Sequence, residues 1–252
     1  MPFRALKIII MIQSIFNDVP KSKGYDKCKK SERNFADDIY KRLLLASNTK
    51  KLSFNLPKGM TGQHVIWALM VQHFPYTWQI GKWYEVEKLS DGTRDLTINV
   101  DTFKKLEAKN QAVRAKIKEI VSECDIKPNS DDYVKAKRLA EYIAEHCSYR
   151  YTDDGKGYQA WDCLVNHSAI CCGYSEAYKA LCDYVNLRCQ CVTSYDHQWN
   201  RVNVNGKWLN VDVCWVSMGA SRKDYLITDD KTFFANHMPY KKKMAQYWKY
   251  KE

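Results

Sequence analysis

Apolar residues recur along this chain with two different periods, and the change from one to the other marks its elements. From His64 to Phe74 the run is almost wholly apolar and ends at Pro75, which predicts a buried helix stopped by the proline. Thr77–Leu89 and Thr93–Val100 are rich in β-branched and aromatic residues, with Ser90-Asp91-Gly92 between them, so they predict a hairpin. Helical periodicity then returns. Asp101 is placed to cap a helix whose apolar positions are Phe103, Leu106, Val113, Ile117, Ile120 and Val121. A second helix is expected from Ser130-Asp131-Asp132, with Tyr133, Ala136, Ala140, Ile143, Ala144 and Cys147 on one face. Residues 36–48 read as a shorter helix. Residues 18–35, with Pro20, Gly24 and lysines around Cys28, read as a mobile linker.

Two later segments are more informative. Tyr174, Ala177, Tyr178, Leu181, Cys182 and Val185 fit one helical face, so Cys171 falls at or just before a helix N-terminus. Downstream, Asn205-Gly206 separates two alternating segments, the strongest short signal for a hairpin. A two-residue turn pairs Val204 with Lys207 and sets Trp199 opposite Asp212. One face then carries His197, Trp199, Arg201, Trp208, Asn210 and Asp212. The other carries Val202, Val204, Leu209, Val211 and Val213 as a core face, and a one-residue slip would bury the polar set.

Composition narrows the class. The 252 residues are 45% apolar, 13% aromatic and 27% charged, with 10 Gly and 6 Pro, which excludes a disordered or collagenous chain. The net charge of +11 sits at the two ends. Residues 1–50 hold 11 Lys/Arg against 5 Asp/Glu, residues 231–252 hold 6 against 1, and 51–230 hold 23 of each. No nucleic-acid motif accompanies these basic ends; they read as solvated termini, with an anionic partner as the weaker reading. No segment approaches the ~20 apolar residues of a membrane span. Ile8 to Ile12 is interrupted too soon for a good export signal and lacks a small-x-small site, which favours a cytoplasmic chain.

The ten cysteines include no C-x-x-C pair, so zinc spacing is absent and no metal or organic cofactor is expected. Cys147, Cys163, Cys182 and Cys214 read as small buried hydrophobes. Cys171 differs. At a helix N-terminus, open N–H groups and the dipole favour an anion, and the thiolate is the nucleophilic form. On the hairpin, His197 and Asp212 are diagonal neighbours ~7–8 Å apart, within side-chain reach. A carboxylate there can fix the imidazole tautomer and leave the other ring nitrogen to move a proton. Cys171, His197 and Asp212 therefore form a candidate nucleophile, base and orienting group. Cys172 is the rival nucleophile, about 100° away around the helix. His64, His73, His146, His167 and His237 show no comparable partner set and read as surface or satisfied core histidines.

The segments I-C-C-G-Y-S, H-Q-W-N-R-V-N-V-N-G-K-W and N-V-D-V-C-W resemble the core of the transglutaminase-like superfamily, in its bacterial cysteine peptidase branch. The usual forms there are C-x-G-Y-[AS], H-[AS]-W-N…G-x-W and V-D-x-[TS]-W. The strong resemblance covers about residues 136–216, with a looser similarity back to Trp67–Trp83 and forward through Asp224-Tyr225-Leu226-Ile227 to His237. It implies a papain-like α+β fold, with the nucleophile helix packed on an antiparallel sheet, preceded by a mixed helical N-terminal extension. By residue match it makes Cys171 the nucleophile, since one residue separates it from Gly173, His197 the general base and acid, and Asp212 the orienting carboxylate. Gln198 in place of a small residue and Cys214 in place of Thr or Ser depart from the pattern and point to an unusual pocket. The upstream zinc cysteines of the peptide:N-glycanase branch are absent, which argues against that activity.

The oxyanion donors expected are the Cys171 N–H and a second from Tyr158, Gln159 or Trp161, although packing is the simpler reading of each aromatic; Trp199 is expected to wall the cleft. The organisation read from the chain is a basic mobile segment 1–35, an extension 36–130, a catalytic core 131–238 and a basic tail 239–252. The function expected is thiol-dependent amide chemistry on a protein or peptide through a thioester, with hydrolysis favoured over acyl transfer. The alternative is a catalytically silent binding or scaffold protein on the same fold.

Overall fold

The computed structural model describes residues 28–74, 83–150, 157–193 and 197–236. The apolar stretch near the N-terminus, Pro75, residues 77–82 of the expected hairpin, His237 and the 239–252 tail lie outside them. The chain divides into two compact units, one ending at Gln111 and the other starting at Ala112.

The first unit begins with α1 (Lys30–Leu45), which starts six residues earlier than the sequence suggested and takes up part of the expected linker. Its start is fixed by Glu32, whose carboxylate accepts the Lys29 N–H at 2.8 Å, and its apolar positions Ala36, Ile39 and Leu43 are fully buried. Next come β1 (Lys51–Leu56), α2 (Gly62–His73), β2 (Tyr84–Lys88) and β3 (Arg94–Asn99). The sheet is antiparallel in the order β1-β3-β2. The expected turn is present, with Leu89 N–H donating to Thr93 O across Gly92 at φ +82°. Strand β1 was not expected, although Phe54 and Leu56 alternate with exposed residues and supply its core face. Phe54, Leu69, Leu96, Ile98 and Phe103 are among the side chains that fill this core.

Helix α3 (Val100–Glu123) contains the division between the units. Its cap is Asn99, whose Oδ1 accepts the Thr102 N–H at 2.8 Å, and not Asp101, which sits in the first turn.

In the second unit α4 (Asp132–His146) starts where expected, with Asp131 Oδ1 accepting the Tyr133 N–H at 2.8 Å. Its buried stripe is Ala136, Leu139, Ala140 and Ile143; Tyr133, expected on that face, is exposed. A short parallel pair, β4 (Ser148–Tyr149) with β5 (Ser168–Ala169), brackets α5 (Ala160–Leu164). Then come α6 (Cys171–Tyr184), β6 (Cys189–Thr193), β7 (Gln198–Val204) and β8 (Lys207–Val211). Helices α7 (Val213–Ser217) and α8 (Arg222–Tyr225), strand β9 (Leu226–Thr228) and helix α9 (Asp230–Asn236) complete the described chain.

The sheet β6-β7-β8-β9 is antiparallel throughout and packs on α6, so the architecture is α+β. The hairpin has the expected register, Val204↔Lys207 through Asn200↔Val211. The supposed solvent face is mostly covered, with His197, Trp199, Asn210 and Asp212 buried and Arg201 and Trp208 half-buried, because Trp199 packs on Phe233 of α9 and Asn210 donates to Asp230 at 2.7 Å. No helix among the described residues is long and apolar enough to cross a membrane.

Candidate active site at the tip of α6

Cys171 is the first residue of α6, behind Ile170 as the extended N-cap residue. Its backbone N–H is one of the donors that a helix leaves open at its start. What holds this tip is a close backbone approach. Ile170 N–H donates to Gly157 O at 2.9 Å, and a Cβ on Gly173 would lie 2.4 Å from that same oxygen. Glycine two residues after the cysteine is therefore a steric requirement. The same approach lays Gln159 against the helix tip, with Gln159 O 3.2 Å from the Gly173 Cβ position. Tyr158 is buried, Gln159 half-buried, and Trp161 belongs to α5.

His197 stands just before β7, and Asp212 just after β8, where Asp212 N–H donates to Tyr225 O at 2.8 Å. Next to it the register of β8 and β9 shifts between Asn210 and Val211, and Ile227 takes a φ of 57°, a strained choice for a β-branched residue. His197 Nε2 lies 2.6 Å from Asp212 Oδ2. The second carboxylate oxygen accepts the Trp215 N–H at 3.0 Å, capping α7. With Nε2 taken up by the carboxylate, Nδ1 is the ring nitrogen left for Cys171, whose side chain is hydrogen-bonded to the ring. Asp212 is wholly buried and His197 nearly so.

The three groups shift one another. Burial by itself would lower the His197 pKa, but the Asp212 carboxylate and then Cys171 outweigh it and push it up to about 10. Cys171 is held well below the usual thiol range by a hydrogen bond from Cys172, against the effect of burial, with help from His197 and the Gln198 N–H. Cys172 moves the other way, because the Cys171 sulfur beside it and its own burial both disfavour a second thiolate. Both shifts favour the charged forms, thiolate on Cys171 and imidazolium on His197.

Trp199 stacks on the His197 ring at 5.9 Å between centroids, and Trp215 lies on it at 5.6 Å. Trp199 is fully buried, so it backs the imidazole instead of walling an open cleft. Gln198 is buried and Cys214 packs in the first turn of α7, its thiol pushed up by burial and by Asp212. All ten cysteines are free thiols, and Cys147, Cys163, Cys182 and Cys214 are buried. No group of three or more His, Cys, Asp or Glu side chains among the described residues could hold a metal ion.

Two histidines do have carboxylate partners that sequence reasoning missed. His64 Nδ1 lies 3.1 Å from Glu32, and His73 Nε2 lies 2.8 Å from Asp37 while its ring stacks on Tyr40. These partners are 32 and 36 residues away and belong to a different element, so no local spacing announces them. Cys28 donates to the backbone carbonyl of His64 at 3.2 Å. His146 and His167 each use Nδ1–H on a backbone carbonyl. Asn200 was also passed over. Its signal was a polar residue on the Val202/Val204 face of β7, where the alternation calls for an apolar one.

The model of the Transglutaminase-like superfamily matches residues 118–213. Kyphoscoliosis peptidase of Mus musculus is 23% identical over 178 residues, covering 58% of this chain and 27% of that protein. The Homo sapiens protein of that name is 24% identical over 165 residues, covering 57% and 24%. The chain thus spans about a quarter of the length of these curated relatives. A solved structure described as a TGase shares 15% identity at a TM-score of 0.38, over 55% of this chain and 45% of that one. The matched segment spans the α6 tip and the ribbon between His197 and Asp212, and over that segment the chain is similar to the transglutaminase-like superfamily.

Proposed function

We propose that this protein is a thiol enzyme that cleaves amide bonds in a protein or peptide, with Cys171 as nucleophile, His197 as general acid and base, and Asp212 as the orienting carboxylate. The observation that carries the reading is the position of the His197 ring, between a helix-tip thiol and a carboxylate 2.6 Å away on the far nitrogen. The Cys171 thiolate adds to the amide carbonyl carbon, and the oxyanion that forms takes hydrogen bonds from the open N–H groups of the α6 tip. His197 Nδ1–H protonates the departing amine as the C–N bond breaks, leaving a Cys171 thioester. The neutral ring then accepts a proton from water, whose oxygen attacks the thioester carbon; the acid leaves and the thiolate–imidazolium pair is restored. Asp212 keeps the ring in the orientation both steps need. A primary amine in place of water would give acyl transfer with the same groups. Hydrolysis is the preferred outcome because the curated relatives are named peptidases.

Gln159, Tyr158 and Trp161 are proposed to line the approach to the helix tip, supported by the closeness of Gly157 O and Gln159 O to Gly173. Cys172 is not the nucleophile in this reading, since its thiol stays protonated beside the Cys171 sulfur.

The test is alkylation near pH 6 with iodoacetamide, followed by peptide mapping. Selective labelling of Cys171, retained in Cys172→Ser and lost in His197→Ala, is expected. Slow, uniform labelling over all ten cysteines would instead mark a scaffold without turnover. Mass spectrometry of peptides incubated with and without an added primary amine then separates new termini from amine incorporation.

A further inference from the structure

The gap between a thiol on a helix and an imidazole on a sheet is only as fixed as the contact between helix and sheet. Strand β7 is central, with Asn200 paired to Cys191 on one side and Val211 on the other. The face that Asn200 shares with Val202 and Val204 is the one turned to α6. Asn200 is 1% exposed. A valine there would suit both the strand and the burial, whereas a carboxamide must find partners to offset its desolvation.

Its partners are specific. Asn200 Nδ2 donates to Ser175 O at 3.0 Å and also faces the Cys189 and Cys191 sulfurs, each at 3.6 Å. Ser175, one turn into the helix, donates its hydroxyl to Cys171 O at 2.9 Å. A triangle results. One side is the strand from Asn200 back to His197, ~3.3 Å per residue. The second is the helix turn from Ser175 back to Cys171, ~1.5 Å per residue. Both are rigid, so the pinned corner at Asn200 and Ser175 sets the third side, which is the distance from sulfur to ring.

We propose that Asn200 is a positioning residue for the reaction assigned above, holding the Cys171 thiol at its working distance from His197 by pinning the Ser175 carbonyl to the central strand. The inference rests on the Cys171–His197 reading. It adds that a buried side chain touching neither substrate nor the reacting atoms controls the nucleophile. A residue that merely supported the fold would change stability and leave the thiol's pH profile where it was.

The experiment compares wild type with Asn200→Val, and with Asn200→Ala, which removes atoms and adds none, in the full chain. It reads the iodoacetamide rate at Cys171 from pH 4 to 9 alongside the melting temperature. The expected result is a rate at pH 6 lower by roughly tenfold or more, with the midpoint of the profile moved upward, in a variant that remains folded. Asn200→Val should melt no lower than Asn200→Ala, since it keeps the strand's apolar burial. An unchanged rate and midpoint in either folded variant overturns the proposal while leaving the triad intact. If both variants simply unfold, Asn200 is structural and the proposal fails. If wild-type Cys171 is not selectively labelled, the triad reading falls and takes this one with it.

Discussion

The imidazole of His197 and the carboxylate of Asp212 meet at 2.6 Å from the two ends of one hairpin, both out of water, with the carboxylate's second oxygen engaged by the Trp215 N–H. The carboxylate is therefore fixed from both sides, and the ring inherits its orientation. A buried ion pair of this kind contributes little net stability, because desolvating two charges offsets their attraction. Its proposed consequence is chemical: the carboxylate raises the His197 pKa and so favours the charged ring beside the Cys171 sulfur.

Asp212→Asn should preserve the cap, since an amide oxygen can still accept from Trp215 N–H, but it removes the charge that raises the His197 pKa. The alkylation rate of Cys171 at pH 6 is expected to fall about a hundredfold, with recovery as pH rises toward the range of an ordinary thiol. Melting temperature should move by only a few degrees. An alkylation profile identical to wild type would contradict the role of Asp212.

The thiolate–imidazolium pair also predicts a shape for stability against pH. Between about 6.5 and 8.5, forming the pair moves one proton from sulfur to ring, so folded and unfolded chains bind equal numbers of protons there. The pair's contribution is flat in that window. Above it the unfolded chain has lost both protons while His197 holds its own up to about 10, so the contribution declines as pH rises. Below it the unfolded chain binds two protons and the folded pair one, so the contribution declines as pH falls. Urea unfolding of wild type minus Cys171→Ala/His197→Ala across pH 5 to 10 should trace a plateau with two falling shoulders.

Gly173→Ala would put a methyl group 2.4 Å from Gly157 O and 2.8 Å from Ala169 Cβ. The first of these is backbone locked by its hydrogen bond from Ile170 N–H, so the helix tip must shift. A loss of about 3 kcal/mol is expected, at the upper end of overpacking costs, with Cys171 labelling reduced even where the protein is still folded. Thermal unfolding and peptide mapping on the same sample check both parts.

In the first unit, Glu32 is buried at 1% exposure and accepts from Lys29 N–H, Thr61 N–H and His64. Burial would raise its pKa, but these donors outweigh it and hold the carboxyl below its ordinary value. Its contribution to stability is thus present above about pH 4.3, the ordinary glutamate value, and is lost as pH falls through the lowered pKa. Glu32→Ala should cost about 3 kcal/mol at neutral pH, because two backbone donors and a histidine lose their acceptor. Chemical denaturation at pH 7 and pH 3.5 should find the difference from wild type smaller at the lower pH.

The sequence by itself determined what is local in this protein. Asn205-Gly206 permits one tight turn, and that turn fixes the pairing that brings His197 diagonal to Asp212. The apolar period after Cys171 placed that residue at a helix start, and Asp131 marked another. Each of these is a matter of backbone geometry over a few residues, so neighbouring letters suffice. The tertiary structure decided everything that joins distant segments. The covering of the hairpin's second face depends on Phe233 and Asp230 arriving from beyond β9, so His197, Trp199, Asn210 and Asp212 are interior and not solvent-facing. The carboxylate partners of His64 and His73 come from α1, a helix whose true start is set by Glu32 reaching back to Lys29 and across to Thr61. Gly173 reads in sequence as a motif letter, but its reason is an oxygen sixteen residues upstream. Asn200 was an odd residue on an apolar face until α6 supplied its acceptor. Hydrogen bonds and close packing between remote segments leave only such isolated exceptions in the pattern, because their partners are chosen by the fold and not by spacing along the chain.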